Sequence, residues 1–203
     1  MGEHNLRFAA LVGSRICHDL ISPIGAINNG MELLAMTGGA PSPEMALIAE
    51  SVEAANARIK FFRIAYSAPS ETQQMGRSEI MSILRDLTRG SRLTIRYEPT
   101  EHMTRSEIQI AFLAIQCAEQ ALPYGGDIAL TRADDRWEIT LKAERMALDA
   151  EHWTTMTGPN PTDDPNGDVK PGQVQFLLLP LHAADQGRKI ELIRTDGLAT
   201  LRV

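Results

Sequence analysis

Two apolar stripes joined by a Gly- and Pro-rich turn limit what this chain can fold into more than any other feature. In the first, Ile16, Leu20, Ile24, Ile27, Met31 and Leu34 recur at spacings of four, four, three, four and three. That is close to the 3.5-residue repeat of a helical-bundle seam. "TGGAPSPE" follows. Gly38 or Gly39 can end a helix in the left-handed conformation, Ser42 can cap the next helix, and Pro43 suits its first position. The second stripe, Ile48, Val52, Ala55, Ile59, Phe62 and Tyr66, keeps the rhythm. A short connection makes the two helices antiparallel neighbours. Neither buries its stripe well against the other alone, so the pattern predicts two hairpins pairing as a four-helix bundle in a homodimer. The alternative is a monomer in which the C-terminal region covers the stripe.

"HDLISPIG" lies inside the first helix. At about 100° per residue, His18 falls roughly 200° from Ile16 and from Leu20, on the side away from the seam. Its neighbours there are Ser14, Arg15, Ser22, Gly25 and Asn29, all small or polar. A partner can therefore approach the imidazole without striking bulk. Arg15, three residues before His18, is within reach of an anion held there, or it solvates the helix. Folding the hairpin brings Lys60 and Arg63 to the level of His18, where a solvated face is the simpler reading for both. Pro23 removes a backbone hydrogen bond and crowds the preceding turn, which predicts a bend just after the histidine.

Composition narrows the function classes. The 203 residues suffice for one ordinary domain or two small ones, and 43% hydrophobic content supplies a core. A formal net charge of −6 weighs against nucleic-acid binding through a broad positive field. No apolar run is long enough to span a bilayer, and "MGEHNLRFAA" has neither a signal peptide's pattern nor the Ser/Thr of a myristoylation signal. The expectation is a cytoplasmic protein with no membrane and no nucleic-acid partner. Cys17 and Cys117 form no C-x-x-C pair, and Cys17 is expected to pack as a small apolar residue. His4, His102, His152 and His182 are scattered without ligand-like spacing, and no carboxylate cluster reads as a metal site.

From about residue 78 the patterning is mixed. "SEIMSILRDLTRG" is helical and "RLTIRYE" strand-like. "TRSEIQIAFLAIQCAEQALP" opens on a capping box, Thr104 with Glu107, and continues as an apolar helix. "GDIALTRA" and "WEITLKA" alternate on either side of a turn, and "KIELIRT" and "LATLRV" make a second hairpin through Asp-Gly. A polar loop, "GPNPTDDPNGDVKPG", precedes a helix from Gln173 to about Asp185. "VQFLLLPL" within that helix is more simply core than a cofactor box. The fold class is α+β: a helical hairpin over 1–72, then an α/β sandwich over 73–203.

"HDLISPIGAINNGMELL" resembles the H-box of histidine kinases and their phosphotransfer relatives: His, an acidic residue, Leu, two variable residues, Pro, then Leu or Ile. His18, Asp19, Leu20, Pro23 and Ile24 match position by position. The resemblance implies that His18 accepts a phosphoryl group and that Asp19 assists as a general base. The element order after residue 78 resembles the ATP-binding domain of those kinases, but the nucleotide motifs differ. Where the kinases have Asn-Ala this chain has Gln120-Ala121. "LKAERMALDAEH" replaces their Asp-x-Gly-x-Gly, and "KPGQVQFLLLP" has a single glycine, Gly172, in place of a phosphate-cradling loop. Three departures together weigh against ATP binding. A phospho-accepting hairpin joined to a degenerate kinase-like domain resembles the ChpT-type histidine phosphotransferases of alphaproteobacteria. That likeness implies a dimeric relay, active in cell-cycle control and related programmes. His18 would receive its phosphoryl group from a receiver aspartate of a hybrid kinase and pass it to response-regulator receivers. The Mg²⁺ used in transfer would belong to the receiver, and Ser14, Arg15, Ser22, Gly25 and Asn29 would line the docking surface. The other readings are an ATP-dependent histidine kinase fragment and a non-catalytic dimeric scaffold that binds receivers.

Overall fold

Both long helices form in a computed structural model, which describes residues 2–37, 43–67, 70, 72–148, 151–158 and 169–203. They are α1 (Gly2–Thr37) and α2 (Pro43–Ala65). The turn residues Gly38, Gly39 and Ser42 lie outside the described residues. α1 runs unbroken through Pro23.

The single seam read from the sequence divides into two faces. On the inner face α1 packs against α2 through half-buried Pro23 and Ile27 and buried Gly30. A Cβ on Gly30 would sit 2.5 Å from Ile48 Cγ1, so only glycine permits this approach. On the outer face Ile24 and Met31 of α1 and Val52 and Ile59 of α2 remain 41–59% exposed, and Ile21, outside the predicted stripe, is 67% exposed. Cys17, expected to pack, is exposed as well. One helical neighbour cannot cover more than about a third of a helix's circumference, which leaves Cys17 and its apolar neighbours Ile21 and Ile24 facing outward.

The end of α2 behaves differently. Phe61, Phe62, Ile64 and Ala65 are buried in the main core, and Phe61 stacks on Phe112 with ring centroids 4.5 Å apart. That core belongs to the α/β region. A short antiparallel pair, β1 (Gln74–Met75) with β3 (Met103–Thr104), flanks α3 (Arg77–Thr88) and β2 (Leu93–Tyr97). Then follow α4 (Arg105–Ala121), β4 (Gly126–Ala133), β5 (Arg136–Lys142), α5 (Glu151–Thr157), a 3₁₀ turn (Pro171–Gln173), α6 (Gln175–Asp185), β6 (Glu191–Thr195) and β7 (Leu198–Arg202). The five-stranded sheet has the order β2-β4-β5-β7-β6, with β2 parallel to β4 and the other neighbours antiparallel. Alternation puts Ile128, Leu130, Ile139, Leu141 and Leu201 on one fully buried face, against which α4 lies. The β4–β5 turn holds Asp134 and Asp135 at φ 49° and 60°, the two left-handed residues of a tight hairpin. The "VQFLLLPL" run lies mostly in the core: Phe176, Leu177, Leu179 and Pro180 of α6 are buried.

Half of the expected capping box forms. Thr104 accepts the Glu107 amide at 3.2 Å. The Glu107 carboxylate is instead committed to Arg132, Arg188 and the Trp137 indole, which donates at 2.8 Å. Burial alone would raise this carboxyl's pKa, but the bonds from Arg188 and Arg132 outweigh it and hold the group below the usual carboxylate range.

Candidate functional site

The helix places His18 and Asp19 on different sectors of α1. The His18 side chain is 79% exposed and that of Asp19 only 13%. Asp19 Oδ1 lies 3.1 Å from His18 Nδ1. A carboxylate only accepts, so this contact selects the tautomer with its proton on Nδ1 and leaves Nε2 with a free lone pair. Nε2 has no hydrogen-bond partner among the described residues.

Asp19 is held in turn. Its other oxygen, Oδ2, accepts Arg15 Nε at 3.0 Å. Arg15, expected on the open face, is 6% exposed. One helical turn before Asp19, it lies under the 3₁₀ turn of the C-terminal region. Arg15 Nη1 donates to the Gly172 carbonyl at 2.5 Å and to Gln175 Oε1 at 3.3 Å. Gly172 also accepts Gln120 Nε2 at 3.1 Å and Gln175 Nε2 at 3.0 Å. Gln120 therefore spends its amide on the turn that precedes α6.

Two half-buried groups stand near Arg15. The Tyr66 hydroxyl donates to Gln116 Oε1 at 2.6 Å, and burial raises the phenol's pKa above its ordinary value while Arg15 opposes the rise. Burial also raises the Glu119 carboxyl's pKa, against the pull of Arg58 and Arg15. Arg58 approaches both Glu119 oxygens at 3.5 Å.

Around the imidazole, Ser14, Ser22 and Asn29 are exposed and Gly25 is half-buried. Open space lies where a Gly25 Cβ would point. Beside them Asp19, Ser22 and Pro23 form one wall of a groove of about 740 Å³, completed by α2 and the end of α3. Lys60 faces Asp86 across it at 3.9 Å, and the Arg63 side chain is exposed. Of the remaining histidines whose side chains are described, His102 is exposed and His152 packs on Phe176 at 4.1 Å between centroids. Burial lowers the pKa of both His152 and His182, with Asp185 opposing at His182. Among the described residues no group of three or more His, Cys, Asp or Glu is placed to hold a metal, and no helix is long and apolar enough to cross a membrane.

The structure thus joins His18, Asp19 and Arg15 and leaves Ser14, Ser22, Gly25 and Asn29 as the open surround. Sequence reasoning missed Gly172, Gln175 and Gln120. The available signal was a glutamine, Gln175, inside an otherwise apolar run.

The model of the histidine phosphotransferase C-terminal domain matches residues 77–197. The chain is 32% identical over 196 residues to the protein phosphotransferase ChpT of Brucella abortus (strain 2308), covering 94% of this chain and 91% of that one. A solved structure described as a bacterial phosphotransferase superposes with a TM-score of 0.79 at 30% identity, covering 97% of this chain and 95% of that one. The chain belongs to the family of ChpT-type histidine phosphotransferases.

Proposed function

We propose that His18 carries a phosphoryl group between receiver domains in a multi-step phosphorelay. It takes the group from an aspartyl phosphate of a hybrid kinase and hands it to the aspartate of response-regulator receivers. The observation behind this reading is the exposed imidazole with Nδ1 held by Asp19 and Nε2 open. The Nε2 lone pair attacks phosphorus, the bond from phosphorus to the aspartyl oxygen breaks, and the donor carboxylate leaves with that electron pair. No proton need move: Nδ1 keeps its hydrogen, and the Asp19 carboxylate stabilises the cationic ring. The next receiver's aspartate reverses the step.

The surround supports a protein donor. A mid-helix glycine costs about 1 kcal/mol relative to alanine, and at Gly25 nothing inside the chain requires its lack of a side chain. Close approach of a receiver beside Ser14, Ser22, Gly25 and Asn29 accounts for it. Divalent metal for the transfer is supplied by the receiver. We assign no ATP to this chain. The hairpin, residues 1–72, is the dimerisation and phosphotransfer unit, and its open apolar face pairs with a second copy in the cytoplasm. Residues 73–203 buttress it.

The experiment is to supply a phosphorylated receiver and compare wild type with His18→Ala. Acceptance by wild type and loss of about a thousandfold or more in the variant is expected for removal of a nucleophile. Equal relay by both would make the protein a scaffold, and label on His18 from ATP and Mg²⁺ alone would make it a kinase. Gly25→Phe should block transfer while leaving the fold intact.

A further inference from the structure

The Gly172 carbonyl accepts three side-chain donors from three helices: Arg15 of α1, Gln120 of α4 and Gln175 of α6. The turn that presents it is pinned independently, because the Lys170 amide donates to Gln173 Oε1 at 3.2 Å and Gln173 Nε2 lies 3.4 Å from His152 Nδ1. The C-terminal region thus offers α1 one fixed acceptor. Arg15 reads it with one edge of its guanidinium and holds Asp19 with the other. The guanidinium is planar and its donors keep fixed directions, so the position of Gly172 dictates the orientation of the Asp19 carboxylate. That carboxylate in turn fixes the His18 ring.

We infer that Arg15 is a positioning residue: it transmits the placement of the C-terminal region to His18 by orienting Asp19, and it does not touch the phosphoryl group. This rests on the acceptor role proposed for His18. Arg15 is buried beneath the turn while His18 is exposed, so a docked receiver meets the imidazole and not the guanidinium. An ordinary surface ion pair between residues one helical turn apart would tolerate loss of either partner. This one is different, because the same guanidinium also spans to a residue 157 positions away. Misplacing a reacting group by about an ångström can cost about a hundredfold in rate.

The test uses the full chain and a phosphorylated receiver as donor. It measures the maximal single-turnover transfer rate, the half-saturating receiver concentration, and the tautomer of His18 by imidazole nitrogen shifts. Arg15→Met should lower the maximal rate about ten- to a hundredfold, leave half-saturation within about twofold, and raise the fraction of His18 protonated on Nε2. Arg15→Lys keeps the charge but not the fork and should recover only part of the rate. Gln120→Ala, at an exposed position outside the ion pair, should lower the rate a few-fold in the same direction. If Arg15→Met does not fold, the other two variants decide. A wild-type rate in Arg15→Met, an unchanged tautomer, or a loss wholly in half-saturation would overturn the inference, the last by making Arg15 a docking contact. If wild type itself accepts no phosphoryl but the tautomer still follows Arg15, the relay reading fails and the positioning role stands.

Discussion

The hairpin and the α4-centred core are both rich in aliphatic residues, yet only the core completes its own burial. Along α4 every residue from Ile108 to Ala118 is buried, whereas Ile21, Ile24, Met31, Val52 and Ile59 of the hairpin face outward. A monomer rarely leaves so many large aliphatic side chains exposed along one face. The difference separates two uses of helical periodicity: one stripe is addressed within the chain, the other, on the function proposed above, to a second copy. The two regions are joined where the end of α2 enters the core, and that junction is the place to break the contrast first. Phe61 is fully buried and stacked on Phe112. Phe61→Ala should cost about 3–5 kcal/mol in urea unfolding, and helix and sheet signals should shift together. A sheet transition left at its wild-type midpoint would mean that the regions do not share a core.

The second break lies wholly in the finished region. Glu107→Gln removes the charge that compensates Arg132 and Arg188 and should cost about 2–4 kcal/mol. Its pH dependence has a definite sign. The folded pKa of Glu107 is depressed, so its contribution is complete above the unfolded value, near about 4.3, and is lost as pH falls through the lower folded value. Wild-type stability should therefore decline below about pH 4 more steeply than that of Glu107→Gln. Parallel curves would place the acid sensitivity elsewhere.

A third change addresses the unfinished face alone. Ile24→Asp should weaken self-association about ten- to a hundredfold, since burying an isoleucine contributes about 1.5–3 kcal/mol. Sedimentation would measure it. The sheet's circular dichroism and melting should stay at wild-type values, and a wild-type dimer constant would show that the exposed stripe is not the interface.

Much of this was legible beforehand because it is local. The hairpin, the capping threonine, the two strand pairs and the placement of His18 follow from spacings of two and three-to-four and from turn residues. What was not legible depends on contacts remote in sequence. Arg15 is polar, one turn from Asp19, and on a helical wheel it belongs with the open face. Only the turn at Pro171–Gln173 folding over it makes it internal. Glu107 has the spacing of a capping-box residue, but Arg188 arrives from beyond α6 to claim it. The seam residues presented the same difficulty, because periodicity marks an apolar stripe without saying how much of it one neighbour can cover.

The two cysteines give the finest test of the comparison, because one reports on each region. Cys117 is buried in the C-terminal part of α4, and burial pushes its thiol pKa well above the ordinary range, so little thiolate forms. Cys17 is exposed on the outer face of α1, in the same sector as Ile21 and Ile24. Under native conditions a thiol reagent should modify Cys17 and leave Cys117 untouched until the whole chain unfolds. Raising the protein concentration through the dimerisation range should slow the reaction at Cys17 and do nothing at Cys117. In Ile24→Asp that protection should vanish while Cys117 stays inert. Reaction at Cys117 in the native protein would show that the core opens locally. Concentration-independent reaction at Cys17, in a protein that sedimentation shows to be dimeric, would move the interface away from this end of the stripe.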